Sequence, residues 1–250
     1  MLGVQNYDRP FQPNDIRDCV LAFHASDGIE FEPGASTIRS WADQSGSRAV
    51  ANQVFATETN TAKQPSYVSD GTETRLVFDG SNDKLELHTG SATGSDAEIT
   101  LDTSDGGWTV ISIFTSDDWT TTSQAIVGDP DDTANFIHKN NSGVSTWRVK
   151  ANGNTKIIDT NNPSSFTNGQ YYCFMFTCDS SGRITMFVDG VQQTDTENIN
   201  ATDDLKIESI AARGGTNFLD GNIKHIIVYD RELNTEEKAL IKEWMAQYIG

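Results

Sequence analysis

Hydrophobic and polar residues alternate in short runs through most of this chain, and side chains that alternate in this way lie on opposite faces of an extended strand. The runs predict strands over residues 19–24, 38–43, 75–79, 85–87, 108–115, 124–127, 134–138, 146–150, 156–159, 171–177, 183–188, 205–211 and 222–229. Turn residues separate them, among them Ser26-Asp27-Gly28, the stretch 43–46 ending in a Gly free to take positive φ, residues 80–83, Gly128-Asp129-Pro130 and residues 140–143. Asn152-Gly153 is a strong hairpin signal, and residues 178–182 join the two clearest strands into an antiparallel pair. Many short strands with frequent turns favour a sandwich over a parallel sheet. Residues 89–107, rich in Gly, Ser, Thr and Asp, read as a long exposed loop.

Two segments depart from this pattern. At the C-terminus, Asn234 stands where it can cap a helix, with Glu237 three residues on. Leu240, Ile241, Trp244, Met245 and Tyr248 then recur on one face, predicting a helix over 234–249 that packs on the sandwich. At the N-terminus, Pro10 and Pro13 interrupt any regular element, and Leu2, Val4, Tyr7 and Phe11 are isolated among polar residues. Residues 1–17 therefore read as an extended arm whose four apolar residues anchor it to a neighbouring subunit; a frayed end, or an arm folded back on its own domain, is the competing reading. The remaining 18–250 read as one domain, since 250 residues with no long linker suit a single large sandwich.

Local motifs sharpen the architecture. W-x-D-x-S-G occupies 41–46 and F-D-G-S-N-D-x-L occupies 78–85; Phe187-Val188-Asp189-Gly190-Val191, the stretch 218–224 and the stretch 227–233 running into the helix follow in order. This order resembles the concanavalin A-like lectin and laminin G-like jelly rolls, over roughly residues 18–250, particularly the single-domain kind found in bacterial surface proteins and tailed-phage structural proteins. The resemblance implies an all-β, two-sheet antiparallel jelly-roll sandwich with a short C-terminal helix and an extended N-terminal arm. It implies a virion protein displayed on head or tail as decoration, fibre or adhesin, with other capsid or tail subunits as partners through the arm, cell-surface glycans as ligands, and self-association as an option. The superfamily also holds glucanases and lyases, so a glycoside hydrolase or polysaccharide lyase is one alternative, and a bacterial surface lectin or adhesin module is another.

Charge narrows the partners. The 36 acidic residues against 18 basic ones give a formal net charge of −18, which repels phosphate backbones, and no basic stripe offsets it; nucleic acid is not an expected partner. No segment carries the roughly 18 apolar residues that a membrane-spanning helix needs, and the N-terminus lacks a basic region followed by an apolar stretch, so no membrane partner and no cleaved signal are expected. Three cysteines make no disulfide framework, and Cys173 and Cys178 fall at opposite parity on one strand, hence on opposite faces. Folding in a reducing host cytoplasm, followed by assembly into a particle, fits these features.

The chemistry in the sequence is sparse. Enzymes of the superfamily carry carboxylates two apart on one strand, so that all face one cleft; Asp195 and Glu197 are the nearest such pair, without a third, and a non-enzymatic protein is expected. His24, His88, His138 and His225 are scattered singly, with no metal-ligand spacing, and no nucleophile elbow or phosphate loop is present. No cofactor is required; calcium is the one ion the loops suit, at Asp129, Asp131 and Asp132, while Asn82 and Asp83 form a second oxygen-rich turn. For a glycan, an exposed aromatic face bracketed by carboxylates is needed, and Trp119 beside Asp117 and Asp118 is the candidate; Trp41, Trp108, Trp147 and Trp244 sit in strand or helix patterns and read as core.

Overall fold

The computed structural model describes residues 10–47, 52–71, 73–91, 94–120, 123–140 and 146–249. Among these residues the strands form an eight-stranded sheet, a ten-stranded sheet and a two-stranded ribbon, with every pairing antiparallel. In the eight-stranded sheet the order is Val191–Asn198, Arg183–Val188, Tyr172–Cys178, Trp108–Ser116, Asp220–Tyr229, Thr74–Asp79 and Ser66–Ser69, with Cys19–His24 paired to the second half of Asp220–Tyr229. In the ten-stranded sheet it is Asn154–Asp159, Thr146–Ala151, Phe136–Lys139, Gln124–Gly128, Ser209–Ile210, Leu85–Thr89, Val54–Thr57, Ile38–Ala42 and Ile29–Phe31, with Ser95–Asp96 paired to Leu85–Thr89.

The central strands of the eight-stranded sheet are buried on both faces, so all nine residues of Trp108–Ser116 are buried. Trp108, Val110 and Phe114 enter the core between the sheets. Ile111 and Ile113 enter a second core, covered by the helix Thr235–Met245. The neighbouring strand divides in the same way, Cys178 into the first core and Cys173 into the second, as their parity requires. Both thiols are free, and burial pushes the Cys178 thiol up to about 12.

The motifs earn their place structurally. Asp43 of the first accepts hydrogen bonds from the Ala22 and Ser45 backbone N–H groups, both at 2.8 Å, and Trp41 Nε1 donates to the His24 carbonyl at 3.0 Å. Asp79 of the second accepts from the Ser81 and Asn82 N–H groups at 2.8 and 3.2 Å. Gly80 has φ +71°, and a Cβ there would stand 2.7 Å from Asp220 Cβ. The helix opens with the expected reciprocal cap: Glu237 N–H donates to Asn234 Oδ1 and Asn234 N–H to Glu237 Oε2, each at 3.0 Å. Arg231 forks onto the same Glu237 at 2.7 and 2.8 Å and also reaches Asp18. Ile241, Trp244 and Met245 are buried as the pattern predicts, but Leu240 is 42% exposed, on the outer side of the packed stripe.

Three expectations need correction. The stretch 89–107 is not simply an exposed loop: Ile99–Leu101 pairs with Leu205–Ile207, and Ile99 and Leu101 are buried in the first core. Ile29–Phe31 and Val54–Thr57 are additional strands, too short to show a full period. The arm ends sooner than residue 17. Phe11 packs against the second core, Ile16 is buried in it, the Pro13 carbonyl accepts from Tyr229 Oη at 2.8 Å, and Asn14 Nδ2 donates to the Gln44 carbonyl at 2.8 Å. Phe11 is thus an anchor on its own domain. Leu2, Val4 and Tyr7 lie outside the described residues.

Candidate functional site

Trp119 does not present a stacking face. Its ring is fully buried in the core between the sheets, within 6 Å of the ring centroids of Phe114, Phe166, Tyr172 and Phe174, and Nε1 donates to the Thr167 carbonyl at 3.1 Å. The polar residues around it turn outward while the indole plugs the end of the sandwich. Asp117 is exposed, and Asp118 Oδ1 is occupied by the Thr120 N–H and hydroxyl, both at 2.8 Å.

The turn expected to hold a cation is hydrogen-bonded within itself. Asp129 Oδ1 accepts from the N–H groups of Asp131 and Asp132 at 2.8 and 3.0 Å, and Asp132 Oδ1 from Ala134 N–H at 3.1 Å, so the Asp129 and Asp132 carboxylates close their own turn. Among the described residues no group of three His, Cys, Asp or Glu side chains is arranged to hold a metal ion. In the other turn, burial pushes the Asp83 carboxyl up to about 6, with the charge of Asp79 adding to it. Asp195 Oδ2 accepts from the Asp159 N–H at 2.8 Å and so joins the edges of the two sheets.

Among the described residues, a concavity lies where the N-terminal segment, the 24–27 turn and the end of the helix meet. Two depressions of about 500 and 350 Å³ adjoin there, sharing Ser26, His225 and Tyr248. A bulge builds this place: Ile113 pairs with His225 and Phe114 with Ile223, leaving Lys224 as the extra residue. Lys224 Nζ is 2.7 Å from Glu73 Oε2, 3.3 Å from the Tyr248 carbonyl and 3.6 Å from the centroid of the Tyr171 ring. Arg75 holds the other Glu73 oxygen at 2.6 Å. Both oxygens of that carboxylate are therefore taken by cations.

Beneath the groove the register sets His24 opposite His225, with Nδ1 to Nδ1 at 2.8 Å. The two histidines that look isolated along the chain are thus a bonded pair. Burial pushes His24 down to about 4 and holds His225 well below the ordinary imidazole range, with His24 and Lys224 adding to the second. Both rings are neutral at pH 7, and their bond requires one to carry its proton on Nδ1 and the other on Nε2. Trp244 stands edge-on to each, with centroids at 6.2 and 4.9 Å, and Tyr248 lies 4.3 Å from His225.

The surfaces left for a ligand are the half-buried Tyr248 ring and the polar side chains around it: Ser26, Ser69 and Thr74 hydroxyls, Gln12, Gln44 and Gln247 amides, and Asp27. An aromatic ring bordered by amides and hydroxyls can stack on one face of a pyranose and hydrogen-bond its hydroxyls. Helical spacing assigns Tyr248 a packing role; that it also lines the groove has no sequence signal.

A family model of the concanavalin A-like lectin/glucanases superfamily matches residues 91–237, more than half of the chain. No curated protein matches the sequence. Solved structures with the same fold include the ligand-binding domain of botulinum neurotoxin serotype D in complex with N-acetylneuraminic acid, at 15% identity and TM-score 0.56, covering 92% of this chain and 51% of that one. The receptor-binding domain of the botulinum C/D mosaic toxin matches at 16% identity and TM-score 0.58, covering 92% and 52%. The sialidase of Trypanosoma rangeli, in complex with an inhibitor, matches at 14% identity and TM-score 0.57, covering 93% and 34%. The chain thus spans about half of the toxin-domain chains and about a third of the sialidase chains. Sheet order, motifs and the matched family model together make this chain a member of the concanavalin A-like lectin/glucanases superfamily.

Proposed function

We propose that this domain is a non-catalytic glycan-binding module that works as a displayed structural protein of a tailed-phage particle. The observation that carries the binding reading is the groove beside Tyr248, an aromatic face rimmed by amides and hydroxyls. Fold neighbours crystallised with N-acetylneuraminic acid or with a sialidase inhibitor support carbohydrate as the ligand class. The state of Glu73 supports binding without turnover: an acid catalyst needs an oxygen free to carry and release a proton, and here Lys224 and Arg75 hold both. The virion role rests on the motif order of 41–46, 78–85 and 187–233, which resembles phage structural jelly rolls.

An oligosaccharide array probed with the full chain should give saturable binding, and the same oligosaccharides should return unchanged from long incubation. Release of new reducing ends, abolished by one carboxylate-to-amide change, would establish an enzyme instead. Mass spectrometry of purified particles tests the second half of the reading; a chain found only outside the particles would refute display.

A further inference from the structure

The outer face of the ten-stranded sheet carries a cluster of cations that the chain itself does not answer. Ile137, Trp147, Val149 and Ile158 point into the core between the sheets, so the alternate residues His138, Arg148 and Ile157 share the opposite face, and the register places them side by side across three strands. Phe136 and Lys150 form the next row. Arg213, from the loop after Ser209–Ile210, lays its guanidinium 4.2 Å from the Phe136 ring centroid, and its Nη1 donates to His138 Nδ1 at 3.3 Å. That bond assigns the proton of the neutral imidazole to Nε2. His138 is fully buried, yet Nε2 has no hydrogen-bond partner, and neither do the buried Nε atoms of Arg148 and Arg213. Among the described residues no carboxylate pairs with Arg148, Lys150 or Arg213.

Leaving these cations uncountered is unusual for a chain with 36 acidic residues and a net charge of −18. Mutual repulsion of two guanidiniums is offset when an anion sits between them, and a guanidinium matches a carboxylate with two parallel N–H donors. Burial, with Arg213, Arg148 and Lys139 adding to it, pushes His138 down to about 3, so His138 serves as a neutral N–H donor rather than a third charge. Ile157, 44% exposed, gives the same row an apolar patch beside Arg148. We propose that Arg148, Arg213 and His138 form a carboxylate-recognition site that takes the acid group of a carboxylated sugar, with Ile157 against the ring. This rests on reading the domain as a glycan-binding module and adds a second, acid-selective subsite to it.

The arginine Nε–H resonances of the full chain report the site directly. Titration with the methyl glycosides of N-acetylneuraminic acid and of glucuronic acid should shift the Arg148 and Arg213 signals saturably. The uncharged methyl ester of the glucuronide and inorganic sulfate should act at least about tenfold more weakly, and Arg148→Gln should weaken the sugar acids by about tenfold. Arg213→Lys, which keeps the charge and loses the fork, should weaken them too. Absent shifts, equal shifts from the methyl ester, or sulfate as effective as the sugar acid would each overturn the proposal. A neutral oligosaccharide monitored at Tyr248 in the same sample keeps the two claims apart. Silence there alone removes the groove reading, and silence at the arginines alone removes this one.

Discussion

The two polar regions of this sandwich are built on opposite terms. Under the helix the charged groups are paired: Lys224 lies between Glu73, the Tyr248 carbonyl and the Tyr171 ring, and the two imidazoles bond each other, although the buried Tyr171 Oη and Trp244 Nε1 have no hydrogen-bond partner. On the outer face of the ten-stranded sheet Arg148 and Arg213 stand without a carboxylate, next to an imidazole N–H without an acceptor. Paired charges fix a shape, and a neutral ligand uses that shape; unpaired ones are completed by a ligand of opposite charge. Truncations in the first region should therefore cost stability, while truncation in the second should cost binding and spare the fold.

The largest effect is expected at Trp244, which is buried against both histidines. Trp244→Ala should lower unfolding stability by about 3–5 kcal/mol in denaturant titrations. A change below about 1 kcal/mol would mean that the helix contributes little to the fold. Next comes pH. Because His24 is depressed to about 4 when folded, its contribution is full above the ordinary value near 6.5 and is lost as pH falls toward 4; His225 acts in the same direction. Asp83 and Glu208, raised to about 6 and about 7 mainly by burial, work oppositely, since the folded state holds their protons and gains as pH falls. Comparison with a variant carrying His24→Gln and His225→Gln separates the two: between pH 6.5 and 4.5 the native chain should lose at least about 2 kcal/mol more than the variant, the share of His24, with His225 adding in the same direction. Parallel pH profiles would show that the pair does not titrate with unfolding.

Smaller effects test the contrast itself. Lys224→Met leaves Glu73 held by Arg75 alone and should cost about 1–2 kcal/mol, the partial exposure of Glu73 limiting the loss. Arg148→Gln should change stability by no more than about 0.5 kcal/mol, and toward greater stability, because it relieves the repulsion with Arg213. Destabilisation by Arg148→Gln as large as that by Lys224→Met would erase the distinction between the regions.

The fold was largely legible in the sequence because strand periodicity, turn residues and the Asn234 to Glu237 cap are local. Most of the long strands and the start of the helix fall where the pattern puts them, and Cys173 and Cys178 divide between the two cores as parity demands; the polar strand Val191–Asn198 shows no alternation that would predict it, the run 205–211 divides between two sheets, and the helix ends at Met245. Short strands such as Ile29–Phe31 and Ile99–Leu101 show too few residues for a period to appear. The candidate site was much less legible, because it depends on register. His24 and His225, 201 residues apart, meet only through strand pairing, and Lys224 reaches the groove only through a bulge. His138 and Arg148 are likewise joined by register, and Arg213 by a loop. Trp119 misled for the converse reason: polar neighbours in sequence describe the surface of a loop, while its one large side chain can still turn inward.

The claim that the Tyr248 groove binds carbohydrate without cleaving it is tested most directly by calorimetric titration of the full chain with a neutral oligosaccharide, beside Tyr248→Ala, with the oligosaccharide recovered and sized afterwards. The expected result is saturable binding by the native chain, a loss of about tenfold or more in the variant, and an unaltered oligosaccharide. Equal binding by the variant would take the ligand away from this groove, and a shortened oligosaccharide would make the protein an enzyme.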